Sequence, residues 1–381
     1  MKDLSVCRQE IDEIDRQITG LFEKRMLVAA DVAEYKRMTG KAVFDKARED
    51  EKLAALEQMA SNPYFGRGLR ELFTQIMSLS RKYQYTKLAQ QGDFMFSQVD
   101  GLSCGEDEQL AFFGEAGSYT EQALMSCFGK EAKRVACPTF AAVLEAVESG
   151  EAKYGAVPIE NTTTGDISDL YDLLAVHPVY PVRERIIRIE HCLVAPRGAT
   201  EEGIREVLSH PQALLQCSGY FAKHPQILQR AFASTSGCAK LIAQEGDVTR
   251  AALASEAAAE QYGLQILRRA LNNENVNSTR FLIISGTPVY VKNADKVSIC
   301  FEIPHETGSL YRILSHLIFN DLNMTKIESR PIAGKQFEYR FFVDFDGTLS
   351  DAAVKNALTG IREEAVRLKI LGCYASEDKL F

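Results

Sequence analysis

The first ninety residues carry a hydrophobic pattern that is typical of helices. Apolar side chains recur every three or four residues, at Leu4, Ile11, Ile14, Ile18, Leu21, Val28 and Val32. This spacing, near 3.5 residues, predicts one helix from Leu4 to about Arg37. At ~1.5 Å per residue such a helix is on the order of 50 Å long, which is too long to bury its stripe within its own short domain. We therefore expect a second chain to cover it.

Two shorter helices are predicted in the same region. Asp45 suits the N-cap of the first, which ends before the helix-breaking segment Ser61-Asn62-Pro63, and the second extends from about Arg67 to about Lys87. The pattern therefore predicts an all-helical domain over residues 1–90. Residues 91–109 contain glycines and acidic residues without a period, which predicts a linker.

The pattern changes after the linker. Between residues 110 and 287 short apolar runs such as KYGAVPIE and REVLSH alternate with amphipathic runs, which predicts α/β organisation with parallel strands. Between residues 296 and 375 the predicted order is strand, helix, strand, strand, helix and strand. That order indicates an α+β, ferredoxin-like βαββαβ unit.

Composition excludes several classes of function. The 44 basic and 52 acidic residues give a net charge of -8 without a basic tract, so no nucleic acid partner is expected. The N-terminus is charged and no window holds eighteen apolar residues in a row, so we expect a cytoplasmic protein that does not bind a membrane. The nine cysteines include no CxxC pair, and there is neither an HExxH nor a GxGxxG motif. We therefore expect no metal and no dinucleotide cofactor.

Cations interrupt the apolar stripe of the first helix. Arg25 occupies a seam position of the heptad that begins at Leu4, and Lys36 and Arg8 flank the same seam. Burying unpaired cations costs several kcal/mol, so a group of them around one interior predicts an anionic ligand.

The spacing of these residues and their partners resembles that of the all-helical chorismate mutases. The matching positions are Arg8, Arg25, Lys36, Asp45, Arg48, Glu49, Ser80 and Gln84. The resemblance implies that Lys36 and Gln84 face the ether oxygen of chorismate, where charge builds as the bond breaks. It further implies that Glu49 binds the ring hydroxyl, that Asp45 and Ser80 support the site, and that the carboxylates are held by Arg8, Arg25 and Arg48. In this family Arg8 reaches across an intertwined dimer.

Hydroxyl and amide residues cluster where predicted strands give way to helices. The runs GSYT, VPIENTTTG, SHPQALLQC, STSGCAK and NSTRF, in this order, resemble prephenate dehydratases, which have two α/β lobes similar to those of periplasmic binding proteins. The resemblance implies that Thr279 assists departure of the ring hydroxyl, either by donating a proton or by orienting a water. Arg280 would pair with a carboxylate, and the other residues around prephenate would be Glu160, Asn161, Ser209 and Gln216.

The βαββαβ unit contains two short motifs that resemble those of regulatory ACT domains. They are Gly308-Ser309-Leu310 and Glu328-Ser329-Arg330-Pro331, with Asn323 between them. The resemblance implies that these residues bind L-phenylalanine between paired domains and that the amino acid inhibits the enzyme.

Together the three regions resemble the family of bifunctional chorismate mutase/prephenate dehydratases. We expect an isomerase and lyase of L-phenylalanine biosynthesis that converts chorismate through prephenate to phenylpyruvate, as a homodimer or higher homo-oligomer. One alternative, a mutase fused to prephenate dehydrogenase, requires the glycine fingerprint that is missing. The other is a non-catalytic, amino-acid-sensing ligand-binding regulator. The sequence leaves open whether the assembly is a dimer or a tetramer, whether prephenate is channelled, and how far phenylalanine inhibits the mutase.

Overall fold

The computed structural model describes residues 2–88, 94–274 and 276–377. The chain divides into two compact units, Met1–Phe94 with Ile299–Ile370, and Met95–Ser298 with Leu371–Phe381. Positions 91–93 of the predicted linker lie outside the described residues. In the described part of the chain, no helix has both the length and the apolar character needed to span a bilayer.

Three helices form the N-terminal part of the first unit, as the hydrophobic pattern predicts. They are α1 (Leu4–Thr39), α2 (Lys46–Gln58) and α3 (Pro63–Leu88). Asp3 caps α1, and Gly40 ends it with a φ of 67°, a conformation that glycine adopts without strain. The Oδ1 atom of Asn62 accepts a hydrogen bond from the N–H of Phe65 at 2.9 Å. The helix breaker is therefore the start of α3, which begins a few residues earlier than the pattern predicts.

The apolar stripe of α1 is exposed in the single chain. Leu4, Ile11 and Ile18 retain 63%, 55% and 51% of their accessible surface, whereas Ala29 and Ala33 are buried. The buried alanines lie in the second half of the helix. Most of the predicted seam is thus not covered by the chain's own described residues.

Between residues 97 and 291, the described residues of the second unit form thirteen strands and seven helices. The strands are β1 (Ser97–Val99), β2 (Gln109–Phe113), β3 (Lys133–Cys137), β4 (Tyr154–Asn161), β5 (Gly165–Asp166), β6 (Tyr180–Arg188), β7 (Cys192–Ala195), β8 (Glu206–Ser209), β9 (Leu228–Ala231), β10 (Arg250–Ala254), β11 (Gln265–Arg268), β12 (Ser278–Ser285) and β13 (Val289–Val291). The helices are α4 (Tyr119–Phe128), α5 (Phe140–Glu148), α6 (Ser168–Val176), α7 (Pro211–Gln216), α8 (Ser218–Lys223), α9 (Thr235–Glu245) and α10 (Glu256–Gln261).

These elements build two α/β lobes, one around each of two large sheets. The first sheet has the order β3-β2-β4-β12-β6, with β5 paired to β4, and the second has the order β11-β7-β10-β8-β9. Each sheet has its own apolar core, with Leu110 and Phe112 buried in the first and Leu193, Val207 and Leu253 in the second. The two-lobed α/β prediction is therefore confirmed.

The prediction of parallel strands is wrong for part of each sheet. Strand β12 runs antiparallel to both β4 and β6, and β10 runs antiparallel to β7. Strands β2, β3 and β4 are parallel because α4 and α5 cross between them. Strand β12 instead returns from the second sheet, so no helical crossover sets its direction.

Part of the predicted linker is structured. Ser97–Val99 pairs in parallel with Val289–Val291, and Leu102 and Cys104 pack against the core of the first sheet. These apolar residues bury surface although the segment around them has no period. The lack of a hydrophobic period therefore does not mean that this segment is detached from the fold.

The predicted βαββαβ order is confirmed by the last six elements. They are β14 (Lys296–Glu302), α11 (Ser309–Phe319), β15 (Met324–Pro331), β16 (Tyr339–Asp346), α12 (Ala352–Glu364) and β17 (Arg367–Tyr374). Their strands form one sheet in the order β15-β16-β14-β17. Within the first unit, both α11 and α12 pack against α3.

Candidate active sites

A cavity of about 560 Å³ lies among α1, α2 and α3. Its lining contains every residue that the sequence predicts for chorismate except Arg8: Arg25, Lys36, Asp45, Arg48, Glu49, Ser80 and Gln84. The rest of its lining includes apolar residues and Arg81. The fold therefore brings residues that are far apart in sequence to the lining of one cavity.

Two cations on α1 are partly buried and have therefore lost some of their hydration. The Nζ atom of Lys36 donates to the carbonyl oxygen of Val43 at 2.7 Å, and Nη1 of Arg25 donates to the carbonyl oxygen of Ile76 at 3.5 Å. Burial lowers the pKa of Lys36 and the pKa of Arg25, because each charged group loses hydration there. A bound anion would restore the lost stabilisation of both charges.

Residues of α2 and α3 complete the cavity. Asp45 caps α2, and its Oδ1 accepts the N–H of Arg48 at 3.1 Å. Nε2 of Gln84 donates one hydrogen to the carbonyl oxygen of Ser80 at 3.2 Å, which leaves its second hydrogen available. Glu49 accepts from Nη1 of Arg81 at 2.7 Å. The cavity thus offers cations, an amide donor and carboxylates, a set that suits an anion carrying a hydroxyl.

Arg8 lies on the exposed, N-terminal half of α1. It precedes Arg25 on the same helix by seventeen positions, a separation of roughly 25 Å along the helix at ~1.5 Å per residue. A single chain therefore does not bring Arg8 to the cavity that contains Arg25.

A second cavity, of about 340 Å³, lies in the second unit. It is lined by Thr162, Thr163, Gln212, Leu215, Gln216, Asn272, Asn273, Glu274 and Asn277. Of the residues predicted for prephenate, Gln216 is in this lining. Asn161 and Thr279 join it through a chain of side-chain hydrogen bonds.

The hydrogen bonds of that chain fix the orientation of each amide. Oδ1 of Asn161 accepts the backbone N–H groups of Thr163 and Thr164 at 3.0 and 3.1 Å, so Nδ2 faces the other way. It donates to Oδ1 of Asn277 and to Oγ1 of Thr279, both at 2.9 Å. The amide of Asn161 therefore connects the cavity wall to Thr279, which is 7% exposed.

The hydrogen-bond network continues from Asn277 to a histidine. Since Oδ1 of Asn277 faces Asn161, its Nδ2 donates to Oε1 of Gln216 at 3.1 Å. Nε2 of His191 lies 3.0 Å from the same oxygen and must therefore carry its proton. Burial lowers the pKa of His191, which keeps the ring neutral. Among the described residues, its buried Nδ1 has no hydrogen-bond partner.

Three residues predicted for prephenate lie away from this network. Ser209 is fully buried and donates to the carbonyl oxygen of Leu253 at 2.8 Å. Arg280 bonds through Nε to Glu184 at 2.7 Å and lies 3.6 Å from Glu160. Because consecutive residues of a strand face opposite sides, Arg280 and Thr279 cannot share one face of β12.

Sequence reasoning missed His191, Asn277 and Arg81. Asn277 stands two positions before Thr279, so a strand pattern extended back from Thr279 would have placed both on one side. Arg81 follows Ser80 directly on α3, but its burial depends on helix packing. His191 carries no local motif, so no sequence signal distinguishes it.

The residues predicted to bind an effector lie at three places in the first unit. Gly308 caps α11 with a φ of 78°, and Ser309 is buried at the start of that helix. Nδ2 of Asn323 donates to Oδ2 of Asp346 at 2.8 Å. Glu328–Pro331 form the end of β15, an edge strand of the sheet, and Ser329 is exposed there.

Two protein families match the regions that contain the two cavities. Residues 7–85 match the family model described as chorismate mutase type II, and residues 110–288 match the model described as prephenate dehydratase. A curated relative from Neisseria gonorrhoeae, named bifunctional chorismate mutase/prephenate dehydratase, is 32% identical over 96% of this chain and 95% of its own length.

Two solved structures resemble the greater part of the chain. A protein titled GqqA, a novel type of quorum quenching acylase, has a TM-score of 0.66 and 28% identity over 72% of this chain and all of its own. A prephenate dehydratase from Arthrobacter aurescens, in complex with L-Phe, has a TM-score of 0.65 and 31% identity over 71% of this chain and 91% of its own.

These matches decide between the hypotheses that the sequence left open. Both enzymatic regions are present in one chain, and the relative covers them in the same polypeptide. The alternatives of a dehydrogenase fusion and of a non-catalytic regulator are therefore set aside. The chain belongs to the family of bifunctional chorismate mutase/prephenate dehydratases, and it is an enzyme of aromatic amino acid biosynthesis with both activities.

Proposed function

We propose that the cavity among α1, α2 and α3 is the chorismate site. Lys36 and Gln84 donate to the ether oxygen, and Glu49 accepts the ring hydroxyl. Arg25 and Arg48 bind the carboxylates, while Asp45 and Ser80 hold the surrounding backbone. The observation that carries this proposal is that all seven residues line one cavity of about 560 Å³. The rearrangement needs no nucleophile, so preorganised donors at the ether oxygen suffice.

We propose further that a second copy of the chain supplies Arg8. The apolar stripe of α1 is exposed, with Leu21 retaining 65% of its surface. Pairing two such stripes buries apolar area on both chains. It also offers a way to bring Arg8 of one chain to the Arg25 of the other, which explains how an intertwined homodimer completes the site.

The second cavity is proposed as the prephenate site. Asn161, Gln216 and Thr279 supply neutral hydrogen-bonding groups, and His191 and Asn277 hold the amide of Gln216 in a single orientation. Thr279 would assist departure of the ring hydroxyl. The roles of Glu160, Ser209 and Arg280 around prephenate stay predictions, because their side chains bond elsewhere in the second unit.

The βαββαβ segment, residues 296–375, is proposed as an ACT regulatory domain. Its effector would be L-phenylalanine, bound by Gly308, Ser309, Leu310, Asn323, Glu328, Ser329, Arg330 and Pro331. The Arthrobacter aurescens relative is titled as a complex with L-Phe, which supports this ligand. Feedback inhibition would then follow from preferential binding of phenylalanine to one of two states. The domain boundaries 1–90, 91–109, 110–287 and 296–375, and a cytoplasmic location, stay predictions.

Replacing Lys36 by alanine tests the residue assignments most simply. The loss of one preorganised donor at a developing charge costs about 3 kcal/mol of barrier. Lys36→Ala is therefore expected to lower mutase kcat by about a hundredfold or more, with prephenate dehydratase kcat unchanged. Mutase turnover at the level of the unmodified enzyme would show that the chorismate site lies elsewhere.

A further inference from the structure

The last turn of α12 carries two adjacent carboxylates that contact the helices of the first cavity. Glu363 and Glu364 both belong to the first unit, as do α1, α2 and α3. The Glu364 side chain is 3% exposed. Neither residue belongs to the motifs that resemble an effector site, and neither lines the cavity itself.

A single peptide group, between Val43 and Phe44, links the side chain of Glu363 to that of Lys36. Its Oε2 accepts the N–H of Phe44 at 2.9 Å and the hydroxyl of Tyr85 at 2.9 Å. The N–H of Phe44 and the carbonyl of Val43 belong to the same planar peptide group. Lys36 donates to that carbonyl at 2.7 Å. The carboxylate of Glu363 therefore fixes the peptide plane that holds the Lys36 ammonium.

One side chain, that of Arg81, links Glu364 to Glu49. Its Oε1 lies 3.0 Å from Nη2 of Arg81, and Nη1 of Arg81 donates to Oε1 of Glu49 at 2.7 Å. Nε2 of His316 also lies 3.1 Å from Oε1 of Glu364. Burial works to lower the pKa of Arg81, but the carboxylates of Glu364 and Glu49 outweigh it and raise that pKa. Arg81 is thus a buried, fully charged bridge between the two carboxylates.

These two paths end on different groups of the same cavity. The first ends on the ammonium of Lys36 and the second on the carboxylate of Glu49. A contact that served only to attach α12 to α3 would not need to reach the ammonium of Lys36 or the carboxylate of Glu49. Catalysis by preorganised donors requires that such groups be held before the substrate arrives.

We propose that Glu363, Glu364 and Arg81 are positioning residues for the rearrangement of chorismate. The C-terminal βαββαβ segment is then a structural part of the mutase site, through α12, and not only a candidate sensor. This inference rests on the proposed roles of Lys36 and Glu49. It assigns a function to three residues that lie outside the set the sequence resemblance supplies.

The charge of Glu363 gives the proposal a pH signature. The charged groups that act on Lys36 are Glu363 on α12, Asp45 at the start of α2, and Glu49 and Arg48 on α2. Glu363 favours the protonated form of Lys36, so removing its charge lowers the pKa of Lys36 further. The alkaline limb of the mutase pH profile then moves to lower pH.

The test uses the full-length chain and separates geometry from charge. Glu363→Leu removes both hydrogen bonds, and we expect mutase kcat to fall about tenfold, the effect of one hydrogen bond to a charged group. Glu363→Gln keeps an acceptor, so kcat stays within about threefold while the alkaline limb shifts to lower pH. Arg81→Met is expected to lower mutase kcat/KM about tenfold, with partial recovery in Arg81→Lys.

Two controls accompany these variants. Glu306→Gln removes the exposed ion pair with Lys46, 2.6 Å long, which also joins the helical part to the βαββαβ segment, and it should leave mutase kinetics unchanged. Dehydratase kcat, measured on each sample, should stay within about twofold.

Mutase kcat/KM at the unmodified level in both Glu363→Leu and Arg81→Met would overturn the inference. An equal fall of mutase and dehydratase activity would also overturn it, because that result indicates a purely structural role. Lys36→Ala, run in parallel, distinguishes the failures. If it abolishes mutase turnover while the α12 variants are normal, only the positioning role is wrong. If it is active, the proposed chorismate site itself is wrong.

Discussion

The amide nitrogen of Asn161 lies 2.9 Å from Oγ1 of Thr279 and donates its hydrogen to that oxygen. The direction is fixed because Oδ1 of Asn161 already accepts two backbone N–H groups. A threonine hydroxyl that accepts a hydrogen bond becomes a better donor through its own hydrogen. This bond leaves the hydroxyl hydrogen of Thr279 for donation, which is what the proposed role toward the leaving hydroxyl of prephenate requires.

Replacements at Thr279 test this donor role. Thr279→Val keeps the side-chain shape but removes the hydroxyl, so dehydratase kcat should fall by about a hundredfold or more, the usual contribution of general acid catalysis. Thr279→Ser retains the donor and should recover most of the activity. Both kcat values are measured with prephenate as substrate, and mutase activity is the control. A Val variant as active as the Ser variant would contradict the assignment.

His191 predicts a pH dependence of stability. Burial lowers the pKa of His191 below its ordinary value near 6.5. The unfolded chain therefore binds a proton at higher pH than the folded chain does. The stability contributed by neutral His191 is present above about pH 6.5 and is lost as the pH falls through the folded-state pKa.

The measurement for His191 is thermal unfolding from pH 7.5 to pH 5.5. The unfolding temperature of the unmodified protein should fall more steeply over this range than that of His191→Asn, which has no ionisable ring. Carboxylates titrate in both proteins, so their contribution to the pH dependence cancels in the comparison. Parallel curves for the two proteins would show that His191 does not resist protonation.

Mixing two inactive variants tests the contribution of Arg8 from a second chain. Arg8→Ala and Arg25→Ala should each lose mutase activity. If each site takes Arg8 from one chain and Arg25 from the other, hybrid dimers regain one intact site. Random reassociation should then give about a quarter of the unmodified mutase rate. No recovery, in a mixture shown by mass spectrometry to contain hybrids, would mean that both arginines act from one chain.

Gly308 tests the proposed effector site. Its φ of 78° is one that side-chain-bearing residues rarely adopt. Gly308→Val should therefore weaken L-phenylalanine binding, measured by calorimetry, by at least about tenfold, or 1.4 kcal/mol. Gly246→Val is the matched control, because Gly246 has a φ of 67°, has open space around its α-carbon and directly follows the end of α9. Equal phenylalanine affinity in the Gly308 variant and the control would place the effector elsewhere.

Elements with a strong period are the ones that the sequence predicts well. The three N-terminal helices follow from the seam of α1 and from caps such as Asp45, and the βαββαβ order follows from alternating apolar runs. The direction of β12 does not follow, because direction depends on which sheet the chain leaves before it enters the strand. The short strand β1 is likewise decided by its partner, β13.

The sequence predicts which residues lie near each other where helix periodicity sets their positions, and it fails where strand alternation is ignored. Seven of the residues predicted for chorismate line one cavity. Thr279 and Arg280 are neighbours in a sequence run, yet they face opposite sides of β12. Contacts such as that of Arg81 with Glu364 join residues 283 positions apart. They depend on how α12 docks against α3, which a single sequence does not show.

The most direct test of the account supplies chorismate to Lys36→Ala, to Thr279→Ala and to a mixture of the two, and follows phenylpyruvate by its absorbance in alkali. Two separate sites predict that the first variant leaves chorismate unchanged and the second accumulates prephenate. The mixture should form phenylpyruvate, since prephenate released by one protein is consumed by the other. Loss of both activities in either variant, or a mixture that never yields phenylpyruvate, would contradict two independent sites on one chain.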